Sequence, residues 1–99
     1  MEYWIERGDL VSWTDSRRIQ TRVIACGAVD GDHNQETGEW LVVKSNGVVE
    51  SLDKRLCITI RVFSQSGLRA RWVGDQVQVQ EKDGRTRIYD SRGFLQRVC

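Results

Sequence analysis

Residues 39–60 read Glu-Trp-Leu-Val-Val-Lys-Ser-Asn-Gly-Val-Val-Glu-Ser-Leu-Asp-Lys-Arg-Leu-Cys-Ile-Thr-Ile, and this stretch decides the fold class. Two β-branched runs meet at Asn46-Gly47, the residue pair that best accepts the two positive φ angles of a type I′ turn, so a β-hairpin is predicted. Asp53-Lys54-Arg55 forms a tight corner. The alternation that follows predicts a third strand over Leu56–Val62, with one face formed by Leu56, Ile58, Ile60 and Val62.

Further strands are predicted on both sides of this hairpin, because turn signals recur about every 8 to 12 residues and no helical apolar stripe is present. Asp30–Gly38 contains no apolar side chain and is expected to be a solvated loop. We expect a core built on Trp13, Trp40, Val23, Val42, Ile58 and Ile60. The other expected strands are Tyr3–Glu6, Leu10–Thr14, Ile19–Ala28, a hairpin of Ile60–Ser64 and Leu68–Val73 around Gln65–Gly67, a hairpin of Gln76–Gln80 and Arg85–Tyr89 around Asp83-Gly84, and Phe94–Val98.

The chain of 99 residues is long enough for one domain and for a core of its own. We expect a single antiparallel β domain of about eight or nine strands, with residues 1–60 as its core and 61–99 as additional hairpins. No run is long and apolar enough for a membrane helix, and a cytoplasmic location is expected. Cys26 and Cys57 are interpreted as buried thiols and Cys99 as a loose terminal one, because three cysteines at these spacings give neither a disulfide framework nor a metal knuckle.

The order of motifs from Gly8-Asp9-Leu10-Val11-Ser12-Trp13 through Arg22-Val23-Ile24, Trp40–Val43, the Asn46-Gly47 hairpin and Leu56-Cys57-Ile58 resembles small SH3-like barrels of the Tudor and KOW kind. The resemblance covers residues 7–60 and implies a barrel of five strands. It also implies that Trp13 and Trp40 could belong to an aromatic cage for a methylated cation. Both tryptophans lie in apolar strands, however, where a core position is the usual one.

The sequence offers little support for catalysis or metal binding. Asp30-x-Asp32-x-Asn34-x-Glu36 begins like a calcium loop, but Gln35 and Leu41 occupy the positions where an EF-hand needs glycine and a bidentate glutamate. His33 is the only histidine, and no nucleophile is marked as its partner. We therefore expect no metal, no cofactor and no enzyme activity; a small enzyme or ligand-binding protein without a recognisable motif is the weakest alternative.

The charge is unevenly divided along the chain. Residues 1–60 contain seven Lys/Arg and ten Asp/Glu, a net charge of −3, whereas residues 61–99 contain eight and four, a net charge of +4. This basic end is the basis of a nucleic-acid-binding alternative, in which a Gln-rich face of Gln76–Gln80 is joined by basic and aromatic side chains. Its candidate residues are Arg69, Arg71, Arg85, Arg87, Tyr89 and Arg92, with Arg97 as an extension. The competing interpretation is a solvated sheet face whose charges discourage edge-to-edge pairing.

Four tryptophans are many for one small core, and tryptophan is enriched at protein interfaces. Trp4, near the beginning of the chain, and Trp72, among arginines, are the predicted interface anchors. The leading functional hypothesis is therefore a non-catalytic β module that binds a protein partner, with a second copy of the chain as the favoured one.

A repeat of 37 residues links the two tight hairpins. Val42, Asn46-Gly47, Leu52-Asp53 and Arg55 recur as Val79, Asp83-Gly84, Tyr89-Asp90 and Arg92. Either the units are duplicated, or two tight hairpins with polar corners look alike by chance.

Overall fold

The computed structural model describes residues 2–13, 21–55 and 57–99, and these ranges form eleven β-strands and no helix. The all-β prediction is confirmed. No helix that could cross a membrane occurs in the described ranges. The strands are β1 Tyr3–Glu6, β2 Asp9–Trp13, β3 Thr21–Ala25, β4 Ala28–His33, β5 Trp40–Lys44, β6 Val49–Leu52, β7 Thr59–Ser64, β8 Gly67–Val73, β9 Gln76–Glu81, β10 Thr86–Tyr89 and β11 Leu95–Val98.

The strands form three antiparallel sheets, each made of strands that follow one another in the chain. Sheet A contains β1–β3, sheet B contains β4–β7 and sheet C contains β8–β11. None of these sheets closes on itself in the described part of the chain, so the SH3-like barrel is not confirmed. The division expected at residue 60 falls within β7, which completes sheet B.

Sheet B lies in the middle, and both of its faces are buried. Trp40 and Val42 belong to a core cluster shared with sheet A, whereas Leu41 and Val43 belong to a second cluster shared with sheet C. Successive side chains of a strand point to opposite faces. Because these four consecutive residues of β5 are at most 3% exposed, β5 needs cover on both sides. Two-sided burial explains why β5 is a continuous apolar run rather than an alternating one.

The single strand predicted over residues 19–28 is two strands in different sheets. β3 ends at Ala25 and β4 begins at Ala28, because Cys26-Gly27 forms a turn in which Gly27 has a φ of +64°. Residues 19 and 20 lie outside the described ranges. Cys26 is exposed at this turn, so its prediction as a buried thiol is wrong, and Cys57 is half-buried.

The hairpin predicted around Gln65–Gly67 is also a change of sheet, since β7 belongs to sheet B and β8 to sheet C. The crossing is held by backbone contacts with other turns. The Gly67 N–H donates to the Gly47 carbonyl at 2.8 Å, and the Lys82 N–H donates to the Ser66 carbonyl at 2.8 Å. A Cβ at Gly67 would overlap the side chain of Val49, so the close approach requires glycine.

The apolar row before and within β7 is exposed rather than buried. Ile58, Ile60 and Val62 are 59%, 49% and 47% exposed, and Val23 on β3 is 51% exposed. Among the described strands, β7 and β3 each pair along one edge only, since they are the last strands of their sheets. The predicted core is therefore wrong at Val23, Ile58 and Ile60. Of the other expected positions, Trp40 and Val42 are confirmed as core, and Leu56 and the Trp13 side chain lie outside what the structure describes.

The polar stretch predicted as a solvated loop begins as a strand, because its first four residues belong to β4. The carboxylate of Asp30 accepts the Ala70 N–H at 3.2 Å, and that of Asp32 accepts the Trp72 N–H at 2.8 Å. These two N–H groups lie along the edge of β8 that pairs with no described strand. The two carboxylates therefore accept hydrogen bonds that a neighbouring strand would otherwise accept, and they join sheet B to sheet C.

Sheets B and C share the same turn chemistry at the 37-residue spacing. After β6, the Arg55 N–H donates to the Asp53 side chain at 2.7 Å; after β10, the Arg92 N–H donates to the Asp90 side chain at 2.9 Å. The sequence repeat thus corresponds to a repeat of hydrogen bonds, each an Asx turn of the kind that aspartate commonly forms.

The correspondence extends to sheet A through a dipeptide on the last strand of each sheet. Arginine followed by valine occurs at 22–23, 61–62 and 97–98. In each sheet this valine pairs with a residue of the neighbouring strand. That residue pairs, on its other side, with Trp4 in sheet A, Val42 in sheet B and Val79 in sheet C. Sheets A, B and C are therefore three versions of one structural unit, and Trp4, Val42 and Val79 hold equivalent positions in it.

Replacing Asp32 by alanine should lower the free energy of unfolding by about 1–3 kcal/mol. The change removes the acceptor of the Trp72 N–H and of the Tyr3 hydroxyl, which donates to Asp32 at 2.6 Å. Asp75→Ala, in an exposed turn, is the control and should cost no more than about 0.5 kcal/mol. Urea unfolding followed by tryptophan fluorescence gives both values, and equal stability of the two variants would contradict the junction.

Candidate functional site

The sheets follow one another in the order A, B, C. We call the face of a sheet that points along this order its forward face and the opposite face its backward face. The forward face of sheet A packs on the backward face of sheet B, and the forward face of sheet B packs on the backward face of sheet C. The backward face of sheet A and the forward face of sheet C are covered by no described sheet. These two outer faces are where binding residues can meet a partner.

The forward face of sheet C is basic and rich in amides. Arg69 pairs with Gln80 and Arg71 with Gln78, so the four side chains share this face, where they line a shallow depression of about 200 Å³. Arg97 of β11 lies in the same cross-strand row as Arg71 and Gln78. Arg69, Arg71 and the extension at Arg97 thus lie on one outer face, but the Arg71 guanidinium forms an ion pair with Asp30 of sheet B at 2.6 Å.

Arg87 and Tyr89 lie on the opposite, backward face of sheet C and serve an internal network. The carboxylate of Glu81, only 6% exposed, accepts hydrogen bonds from the Tyr89 hydroxyl at 2.8 Å, the Ser66 hydroxyl at 2.9 Å and the Arg87 guanidinium at 3.0 Å. Burial and the bond to Glu81 raise the pKa of Tyr89 to about 12. The expected joining of Arg87 and Tyr89 to the Gln face does not occur, because their cross-strand partners are Val79 and Val77.

The two remaining basic candidates lie at turns. Arg85 is exposed in the turn before β10, and its backbone N–H donates to the Asp83 side chain at 2.9 Å. Arg92 lies 3.5 Å from the Asp90 carboxylate, with its guanidinium 5.3 Å from the centre of the Phe94 ring. The six predicted residues are therefore divided between two faces and two turns.

The two predicted anchor tryptophans lie in different environments. Trp72, on the backward face of sheet C, is half-buried and packs against the core shared with sheet B; its indole Nε1 is buried without a hydrogen-bond partner in the described residues. Trp4 is half-buried on the backward face of sheet A, where it pairs with Val11. Of the two anchors, Trp4 alone lies on an outer face.

The backward face of sheet A carries the opposite charge from the forward face of sheet C. Glu6 follows Trp4 on the same side of β1 and pairs with Asp9 of β2. β1 and β2 contain no lysine or arginine; Arg7 lies in the turn between them. An acidic and aromatic outer face thus stands at one end of the stack, and a basic face at the other.

Two arginines of the repeated Arg-Val dipeptide connect neighbouring sheets. The Arg22 guanidinium, on β3 of sheet A, donates to the backbone carbonyl of Arg55 in sheet B. The Arg61 guanidinium, on β7 of sheet B, donates to the backbone carbonyl of Arg92 in sheet C at 2.6 Å. Sequence reasoning missed both contacts, although the dipeptide recurring once per unit was the signal that could have revealed them.

A groove of about 350 Å³ lies between sheets A and B. The side chains of Arg22, Lys54 and Arg55 line it together with Trp40, which is 3% exposed. His33 also lines the groove, with its ring centre 4.4 Å from that of Trp40. These cations suit an anion rather than the methylated cation of an aromatic cage. Trp40 is also a core residue, whereas a cage needs aromatic side chains at loops.

His33 is half-buried against Trp40. Its Nδ1 is buried without a hydrogen-bond partner in the described residues. Burial lowers the pKa of the imidazole below its ordinary value, which favours the neutral form.

The calcium-like spacing does not assemble a metal site. The Asp30 and Asp32 carboxylates bond to β8, and the Asn34 side chain accepts the backbone N–H groups of Glu36 at 2.9 Å and Thr37 at 3.3 Å. In residues 2–13, 21–55 and 57–99, no group of three or more His, Cys, Asp or Glu side chains is placed to hold a metal ion.

Comparison with known proteins adds no assignment, since no protein-family model and no curated protein matches the chain.

The lowered pKa of His33 predicts that stability falls as the solution is acidified. Because the unfolded histidine binds a proton near pH 6.5 and the folded one only at lower pH, its contribution is complete above about pH 6.5 and is lost below. His33→Gln removes the only histidine, so the variant should lose less stability than the wild type between about pH 7.5 and 5.5. Urea unfolding at several pH values measures the difference, and parallel curves would contradict the burial of His33.

Proposed function

We propose that this chain is a non-catalytic β-sheet interaction module that binds protein and self-associates through its outer sheet faces. The observation that carries the proposal is the opposite charge of the two faces. Arg69 and Arg97 stand on the forward face of sheet C, and Glu6 and Asp9 on the backward face of sheet A. Complementary faces on one molecule favour contact between molecules.

The internal junctions support the same proposal. Sheets A and B, and sheets B and C, already pack face to face within one chain, with a core cluster at each junction. The outer faces belong to the same structural unit but are more polar. Association through them should therefore be reversible and sensitive to salt, because exposed charge pairs contribute little individually and are screened.

Trp4 is the proposed anchor of this association. It is half-buried on the acidic outer face, at the position where Val42 and Val79 pack against the preceding sheet. Trp4 forms an apolar row across this face with Val11 and Val23, and large aromatic side chains are common interface hot spots. Trp72 packs against the internal core, and its replacement is expected to lower stability.

Nucleic acid is the second candidate partner. The observation that favours it is the outer face of sheet C, where the guanidinium groups of Arg69 and Arg97 lie beside Gln78 and Gln80 and outside the Arg71–Asp30 ion pair. Guanidinium groups suit phosphates, and binding would weaken steeply with salt through release of counterions. Arg69→Ala combined with Arg97→Ala should flatten that dependence, because both guanidinium groups lie outside the ion pair with Asp30.

Light scattering over a range of protein concentrations tests the proposed self-association. At low ionic strength the average mass should exceed the 11.4 kDa of one chain, and it should return to that value near about 1 M salt, where the Debye length is about 3 Å. Trp4→Ala should weaken association while the chain stays folded. Val29→Ala, a 52% exposed valine of sheet B, is the matched control and should associate like the wild type.

A monomeric wild type at every concentration in low salt would refute self-association. If that monomer binds a single-stranded oligonucleotide, nucleic-acid binding replaces self-association as the proposed function.

A further inference from the structure

We infer that the partner is a second copy of this chain, which docks the backward face of its sheet A on the forward face of sheet C. The sheets of the two molecules would then follow in the order A, B, C, A, B, C. This inference rests on the proposed self-association and adds the faces, the direction and the connecting residue.

The repeated arginine gives the first argument. Arg22 and Arg61 each lie on the last strand of a sheet and donate to a backbone carbonyl of the next sheet. Arg97 holds the equivalent place on β11, next to Val98, and points to the forward face of sheet C. Its side chain is exposed and makes no hydrogen bond or ion pair with any described residue. Two arginines of the series are therefore in use within the chain, and the third is available to a partner.

The first strands of sheets B and C supply the second argument. Asp32 pairs with Leu41 on the forward face of sheet B, and Arg71 pairs with Gln78 at the corresponding place in sheet C. The carboxylates of sheet B accept donors from the sheet that covers them. In sheet C, Arg71 already has an acceptor, because its guanidinium forms an ion pair with Asp30 of sheet B at 2.6 Å. The exposed Arg69 on the same side of β8 is therefore the arginine that can take acceptors from a covering sheet.

Sheet A meets that requirement. Glu6 and Asp9 stand on its backward face, and Glu6 is exposed. Trp4, on the same face, is equivalent to Val42 and Val79, the two residues through which sheets B and C pack on their predecessors. Acceptors for Arg69 and Arg97 and an apolar row therefore occur together on one outer face of the same molecule.

The contact joins two different surfaces, so it is heterologous. Each added molecule leaves one acidic and one basic face open, and a heterologous contact that does not close into a ring adds further copies. The mass should therefore rise beyond that of a dimer as the concentration increases.

Charge reversal on each face tests the pairing. Glu6→Lys gives a molecule with two basic outer faces, and Arg69→Glu weakens the positive charge of the other face. Each variant alone should associate at least about 10-fold more weakly than the wild type, because like charges then meet. An equimolar mixture of the two variants should recover association, because each supplies the face that the other lacks. Light scattering at low salt measures all three samples.

Arg97→Ala tests the connecting residue. Loss of a hydrogen bond from a charged donor should weaken association by about 10-fold or more. Arg85→Ala removes an exposed arginine at a turn and is the matched control, which should keep the wild-type affinity. The unfolding midpoint of both variants should match that of the wild type, since both arginine side chains are exposed and lie outside the core.

The outcomes separate this inference from the proposed function. If the wild type associates but the mixture fails to recover association, or if Arg97→Ala behaves like Arg85→Ala, the docking inferred here is wrong while self-association stands. A wild type that remains monomeric overturns both. Recovery in the mixture together with weakening by Arg97→Ala supports the A-on-C contact.

Discussion

Burial of β5 on both faces is the constraint on which the rest of the structure depends. An antiparallel sheet can leave one face in water, and its strands then alternate between apolar and polar residues. β5 places Trp40 and Val42 toward sheet A and Leu41 and Val43 toward sheet C, so neither face can be left open. One apolar strand thereby requires three layers, and the chain supplies them as three successive meanders.

Polar groups fix how the layers meet. Apolar burial has no preferred direction, so it cannot by itself align one sheet on another. The carboxylates of Asp30 and Asp32 take up edge N–H groups of β8, and the guanidinium groups of Arg22 and Arg61 reach carbonyls at turns of the next sheet. These bonds satisfy backbone groups that have no strand as a neighbour. The same kinds of side chain on the outer faces make a further layer chemically feasible.

The tight turns can be predicted from the sequence, but the division of the strands into three sheets cannot. Asn46-Gly47 and Asp83-Gly84 determine turns through backbone φ, which depends on nearby residues only. Alternation shows which residues share a face, but not which sheet covers that face. Alternation therefore predicts Ile60 in the core, whereas the residue is exposed. Asp32 lies in a polar stretch that predicts a loop, because its partner, the Trp72 N–H, is 40 residues away in the sequence.

The candidate site follows the same division. Alternation within β8 puts Arg69 and Arg71 on the same side of the strand, whereas the side on which Arg87 lies depends on the register across a hairpin. The opposite charge of the outer faces could not be predicted before the order of the sheets was known.

Two isosteric substitutions at neighbouring residues test the three-layer arrangement most directly. Val42→Thr and Val43→Thr each bury a hydroxyl in place of a methyl group, one toward sheet A and one toward sheet C. Both should lower the free energy of unfolding in urea by about 1–3 kcal/mol, since an uncompensated buried hydroxyl costs that much on either face. A stack in which sheet B is the middle layer predicts two similar losses; a near-zero cost for either variant would mean that one face of sheet B is open to water.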